Sequence, residues 1–264
     1  MIASFFQCLE QCGVRYLLIS GQATILYGAA TFSEDVDIWV EPDTDNIHRF
    51  VQALRYSRAR YYKLTPALDV VPFLRGHGFH FVVPDAVGGL ELYLDVMGQP
   101  PRVGSFFEAS TRAREFETDF GKLPTVGIKE LVEIKKTQRP ADYPIIGRLA
   151  LAHLSDATTP QDDAELRWAL DHVFGFTELR AVVAERPQAF AALAASIPEP
   201  IASGVTALAA GRELDVDTED TVDAWLDART APLRAADRRY WRPIIDELRH
   251  LRQAGQLMPE GQAV

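Results

Sequence analysis

The chain has 264 residues, 47% of them hydrophobic and 24% charged, and no apolar run reaches the ~18 residues of a membrane-spanning helix, which excludes a helical membrane protein. Its formal net charge of −10 excludes a sequence-wide electrostatic footprint for nucleic acid while leaving room for a local basic groove. Cys8 and Cys12, the only cysteines, fall on one expected helix, so they allow neither a disulfide framework nor a four-ligand zinc site and read as packing residues.

At roughly 150 residues per domain the length predicts one or two domains, and two fits the change of character along the chain. The first ten residues lack the basic region and small-residue cleavage site of a secretion signal, so a cytoplasmic location and no membrane partner are expected. Ile2, Phe5, Phe6 and Leu9 repeat at i, i+3, i+4 and i+7, a helical stripe ending at Gly13. Arg15 to Ser20 reads as a buried strand closed by Gly21, and Ala23 to Tyr27 as the helix that follows, up to Gly28. A second strand, Asp35 to Val40, stops at Pro42, and Asp43 or Thr44 caps a helix with its apolar stripe at Ile47, Phe50, Val51 and Leu54.

Two further strands, Phe79 to Val83 and Leu90 to Val96, flank a turn region from Pro84 to Gly89. From about residue 127 a long helical stretch begins at Ile128, Leu131, Val132 and Lys135, with no strand expected beyond it. The Ala- and Leu-rich remainder, punctuated by Pro187, Pro198, Pro200 and Pro232, reads as a helical bundle with disorder only in its last few residues. The expected fold is therefore α/β (α+β): a mixed sheet covered by helices in residues 1–145, followed by a helical C-terminal domain in residues 146–264.

Strand side chains alternate, so Asp35 and Asp37 share a face, and Asp95 lies on the face of its strand opposite Leu90, Leu92, Leu94 and Val96. Like charges set so close are costly unless a cation lies between them, and carboxylates of this kind suit Mg²⁺ or Mn²⁺. Ser20-Gly21 sits between a strand and a helix, where backbone N–H groups and the helix dipole favour phosphate.

Ile19-Ser20-Gly21-Gln22-Ala23, then Gly28, Ser33, Asp35 and Asp37, resembles the nucleotidyltransferase superfamily with the DNA polymerase β-like fold, most of all its bacterial minimal nucleotidyltransferases and abortive-infection toxins. Asp95 occupies the place of the third family carboxylate, and Leu131 to Asp142 resembles a further element, Lys-x-x-x-Arg-x-x-Asp, through Lys135, Arg139 and Asp142. The resemblance covers residues 14 to 150; Gln22 replaces the second small residue of the turn, Thr31 stands at an Arg position, and Ser33 at a Thr position.

The resemblance implies a Mg²⁺-dependent transfer of a nucleoside monophosphate from a nucleoside triphosphate to a hydroxyl. Asp35, Asp37 and Asp95 are its metal ligands and catalytic residues; Ser20, Gly21, Ser33, Lys135, Arg139 and Asp142 are its nucleotide contacts. The acceptor is tRNA, a protein or a small molecule, and the setting a toxin with an antitoxin partner. Lys135 and Arg139, one helical turn apart, are expected to face the same phosphates.

A second reading is a catalytically silent nucleotide-binding or protein-interaction module, favoured by Thr31 and Gln22 and opposed by the complete carboxylate set. A third is an α/β scaffold whose aspartates merely face water. Arg55 to Lys63 interleaves cations with tyrosines, a combination able to grip phosphates, stack bases and dock a tRNA; a solvated helix end with half-buried tyrosines is the plainer account. Arg234 to Arg252 reads as an amphipathic helix, and His77 and His80 as packing or solvent-facing residues.

Overall fold

A computed structural model describes residues 2–84, 91–119 and 121–264. Leu90 and the turn after Pro84 lie outside the described residues, as does the side chain of Ile2. The fold is α/β, a mixed seven-stranded sheet with helices and a helical C-terminal region. Packing divides the chain into two units: Met1–Leu26, Ala30–Ile134 and Arg239–Val264 form the first, and Tyr27–Ala29 with Lys135–Arg238 the second.

The chain opens with α1 (Ile2–Gln11), β1 (Tyr16–Ile19), α2 (Ser20–Leu26), β2 (Val36–Val40), α3 (Thr44–Tyr56) and β3 (Arg60–Tyr61). It continues through α4 (Val70–Leu74), β4 (Gly78–Pro84), β5 (Glu91–Met97), α5 (Phe106–Ser110), β6 (Arg114–Thr118), β7 (Gly121–Thr125) and α6 (Ile128–Lys135). The strand order is β3-β4-β5-β2-β1-β7-β6. At its centre β2 runs antiparallel to β1 and parallel to β5, and β5 runs antiparallel to β4.

Alternation decides what each face of the sheet does. Tyr16 and Phe81 lie on one face, where Phe6 of α1 stacks on Tyr16 at 5.9 Å and Phe50 of α3 meets Phe81 edge-on at 6.1 Å. Phe50 is fully buried, and removing such a ring costs about 3–5 kcal/mol in transfer and cavity terms. The opposite face carries Trp39, whose indole N–H donates to the Gly98 carbonyl at 2.7 Å and whose ring meets Phe106 of α5 edge-on at 5.6 Å. That closes one end of the second face.

Asn46 ties α3 to the strand ends. Fully buried, it accepts from the Arg15 N–H at 2.8 Å and donates to the carbonyls of Arg15 and Glu41 at 2.9 and 3.1 Å. Asp43 caps α3 by accepting from the Asn46 N–H at 3.2 Å, the role its position predicted.

Several elements differ from the expectation. Strands β3, β6 and β7 were not anticipated, because β3 has only two residues, β6 is largely exposed, and β7 contains Pro124. Asp35 falls in the bend before β2 rather than in the strand. The helical stretch from Ile128 ends at Lys135, so Lys135 and Arg139 are not one helical turn apart; Arg139 precedes Pro140, which disfavours helix there. The last residues, expected to be disordered, pair with the β3 region instead: Met258 N–H donates to the Thr65 carbonyl at 2.8 Å and Gly261 N–H to the Tyr61 carbonyl at 2.9 Å. Those bonds satisfy backbone groups that an edge strand otherwise leaves open.

The second unit is built from α7 (Asp142–Ser155), α8 (Asp163–Asp171), α9 (Phe176–Glu185), α10 (Pro187–Leu193), α11 (Ile201–Ala209), α12 (Val216–Ala228) and α13 (Thr230–Gln253), the last entering the first unit at Arg239. Leu166, Leu179, Val182, Phe190, Val205 and Leu226 form its core. Asp162 and Asp215 cap α8 and α12, and Pro187 opens α10, where its missing N–H is harmless. Among the described residues no helix is long and apolar enough to cross a membrane.

Candidate functional site

The register of four strands sets one row of side chains across the sheet. Ile19 of β1 stands opposite Asp37 of β2, Asp37 opposite Asp95 of β5, and Asp95 opposite His80 of β4. Directly paired residues project to the same face with Cβ atoms roughly 4.5–5.5 Å apart, so Asp37, Asp95 and His80 are neighbours on one face. The sequence placed the two aspartates on polar faces of separate strands; the parallel pairing of β2 with β5 brings them together.

His80 is the residue that sequence reasoning missed. Its Nδ1 lies 2.8 Å from Asp95 Oδ1, and both side chains are about one quarter exposed, 25% and 28%. A signal was present: Phe79 and Phe81 are fully buried, which turns His80 to the other face, as Leu94 and Val96 turn Asp95. What the sequence could not supply was the antiparallel register of β4 with β5.

Asp35 joins the group from the bend before β2. Burial, and then the Asp95 carboxylate, push its carboxyl above the ordinary value, while Lys63 and His80 act in the opposite sense. A carboxylate raised by a neighbouring carboxylate marks a place where a cation is favoured.

The bend is held by its own polar groups. Ser33 Oγ donates to the Asp35 carbonyl at 3.2 Å, and the Gln22 amide reaches the carbonyls of Ser33 and Asp35 at 3.3 and 3.5 Å. Gln22 therefore clamps the Asp35 bend to α2. Gly21 fits beside it because a Cβ there would stand 2.8 Å from Ser33 Cβ.

Ser20 passes the chain from β1 into α2 with φ +56°, a left-handed conformation that a non-glycine residue rarely adopts. Its carbonyl accepts from the buried Thr24 hydroxyl at 2.6 Å, which helps to fix the turn. Ser20, Gly21, Ser33, Asp35, Asp37 and Asp95 all belong to the first unit.

Lys135, Arg139 and Asp142 form a cluster of their own in the second unit. Lys135 Nζ lies 3.4 Å from Asp142 Oδ1 and Arg139 Nε 3.2 Å from Asp142 Oδ2, with the Thr137 hydroxyl on the same carboxylate. The Lys135 and Asp142 side chains are buried, and charges removed from water must be paired. The two cations thus share one anion, and that anion is Asp142.

Among the described residues no group of three or more His, Cys, Asp and Glu side chains is gathered closely enough to hold a metal. Mg²⁺, however, is commonly held by one or two carboxylates and completes its shell with water and substrate phosphates. Asp37 and Asp95, with Asp35 beside them, fit that requirement and not that of an all-protein cage.

No family model matches the chain, and no curated protein does. Among solved structures it is similar to an antigenic nucleotidyltransferase-like protein from Paracoccidioides brasiliensis, with 13% identity and a TM-score of 0.34 over 78% of this chain and 89% of that one. It is also similar to JHP933 from Helicobacter pylori, with 12% identity and a TM-score of 0.37 over 92% of this chain and 93% of that one. Likeness this distant says nothing of substrate or activity.

Proposed function

We propose that the protein transfers a nucleoside monophosphate from a nucleoside triphosphate to an acceptor hydroxyl, with Asp35, Asp37 and Asp95 as its functional carboxylates. The observation that carries this reading is the in-register pairing of Asp37 with Asp95, with Asp35 close enough to feel the Asp95 charge. When bound, Mg²⁺ (or Mn²⁺) supplies charge neutralisation for the phosphates and the leaving group.

Asp37 and Asp95, set on adjacent strands whose ladder fixes their spacing, would hold that ion together with Asp35. The acceptor oxygen attacks the α-phosphorus as its proton passes to the Asp95 carboxylate; the bond from the α-phosphorus to the bridging oxygen breaks, and pyrophosphate leaves. Ser20 and Gly21 at the strained turn offer backbone N–H groups and the Ser20 hydroxyl to the phosphates, and Ser33, whose hydroxyl holds the Asp35 carbonyl, shapes the bend beside them. A toxin acting in the cytoplasm, with an antitoxin partner, is the biological extension of this reading.

Incubation of the protein with α-labelled nucleotides, Mg²⁺ and whole-cell RNA and protein tests the proposal. Label in an acceptor fraction, lost in Asp37→Ala, is the expected result; equal labelling by Asp37→Ala contradicts it.

A catalytically silent module with the same sheet is the second reading, and one observation favours it: His80 engages an oxygen of Asp95. Nucleotide binding indifferent to Mg²⁺ and without pyrophosphate release supports that alternative.

A further inference from the structure

We infer that Lys63 is the phosphate anchor of a nucleoside triphosphate subsite whose wall is the Tyr62–Tyr93 pair. The inference rests on the proposed transfer reaction and deepens it by naming where the donor lies.

A triphosphate carries more negative charge than one divalent ion beside three aspartates offsets, and a side-chain cation next to them adds to that neutralisation. Tyr62, the residue before Lys63, donates its N–H to the His80 carbonyl at 2.8 Å, and the His80 ring is engaged by Asp95, so the turn that carries Lys63 lies next to the carboxylate row. Lys63 is exposed, with its Nζ 4.8 Å from the centre of the Tyr62 ring, a cation–π contact that fixes where the charge sits.

The backbone carries an independent sign. Lys63 has φ +61°, left-handed and costly for a lysine. The turn is braced from both sides. On one side Tyr62 N–H donates to the His80 carbonyl at 2.8 Å and His80 N–H to Thr65 Oγ1 at 3.2 Å. On the other the C-terminal tail pairs with it, Tyr61 N–H to the Gln262 carbonyl at 2.9 Å and Met258 N–H to the Thr65 carbonyl at 2.8 Å. The braced turn holds the Lys63 backbone next to His80, the neighbour of Asp95.

The aromatic wall continues from the same turn. The Tyr62 and Tyr93 rings lie 5.0 Å apart, and Tyr93 is two residues before Asp95 on the same strand, hence on the same face. A half-buried tyrosine pair adjoining a phosphate anchor gives a nucleobase a surface on which to stack.

Calorimetry on the full chain with Mg²⁺ tests this, using inorganic tripolyphosphate and an ATP analogue with a methylene between its α and β phosphates. Lys63→Gly is expected to raise Kd about tenfold for both, the loss of one charge-assisted contact. It is also expected to melt above the wild type, because glycine accepts the left-handed turn without strain; a purely structural lysine would not separate binding from stability in this way. Tyr93→Leu is expected to weaken the ATP analogue several-fold, on the order of one stacked base, and leave tripolyphosphate unchanged.

Unchanged binding of both ligands by Lys63→Gly overturns the inference and leaves the transfer reaction standing. So does a loss confined to a single-stranded RNA oligonucleotide, which would assign the lysine to an acceptor. If Lys63→Gly weakens both ligands while Asp37→Ala keeps the Mg²⁺ dependence of binding, the anchor stands and the carboxylate assignment falls. If the wild type binds neither ligand, both fall.

Discussion

His80 Nδ1 and Asp95 Oδ1 lie 2.8 Å apart on adjacent antiparallel strands, and the ladder that pairs the two residues fixes that contact. The hydrogen bond holds the carboxylate in one orientation, which makes His80 a positioning residue for Asp95. On the proposed reading, in which Asp95 would hold a metal, removing a partner of this kind typically costs about 10–100-fold in activity or metal affinity. His80→Ala is expected to lower kcat in that range with little change in the KM for nucleotide, and His80→Asn, whose amide can take the place of Nδ1, to restore most of it. Equal losses in both variants, or a change confined to KM, would show that the contact does not position Asp95.

Gly21 gives a prediction about the Asp35 bend. A methyl group at this position would meet Ser33, with Cβ to Cβ at 2.8 Å, and the bend has to give way because Ser33 also binds the Asp35 carbonyl. Gly21→Ala is expected to cost about 1–3 kcal/mol, the usual range for overpacking. Adding Ser33→Gly removes the obstructing side chain, so the double variant should recover stability in thermal unfolding. No recovery means that the strain lies elsewhere in the turn.

The strand faces that carry Asp37 and Asp95 were legible in the sequence, and the limits have physical causes. Asp37 and Asp95 could be assigned to polar positions because the buried Val36, Leu94 and Val96 alternate with them, whereas Asp35, expected in the strand, lies in the bend before it. Local alternation carries no information about strand order, so neither the Asp37–Asp95 pairing nor the His80 contact could be read from it. Gln22 looked like a departure from a small-residue turn, yet it clamps the bend through carbonyls eleven and thirteen residues away. Lys135 and Arg139 were read as helical neighbours, but the helix ends at Lys135 and Pro140 disfavours helix at Arg139.

Asp43 supplies a dependence on pH. The Asn46 N–H, with the Arg15 guanidinium at 3.0 Å, holds its carboxyl below the ordinary value. A carboxyl depressed in the folded state contributes stability that is present above its unfolded pKa of about 3.9 and is lost as pH falls through the folded value. Asp43→Asn keeps a capping oxygen and loses the charge. It is therefore expected to be less stable than the wild type at neutral pH, with the gap closing as the solution is acidified below about pH 4. Denaturant unfolding at several pH values checks this, and a gap that is constant across that window contradicts the assignment.

The pairing of Asp37 with Asp95 is tested most directly by paramagnetic resonance of Mn²⁺ titrated into the full chain, with and without a non-hydrolysable nucleoside triphosphate. The account predicts that the nucleotide markedly tightens Mn²⁺ binding in the wild type and that both Asp37→Asn and Asp95→Asn abolish the tightening while their thermal unfolding stays close to wild type. Mn²⁺ and nucleotide binding as tight in both variants as in the wild type would contradict it.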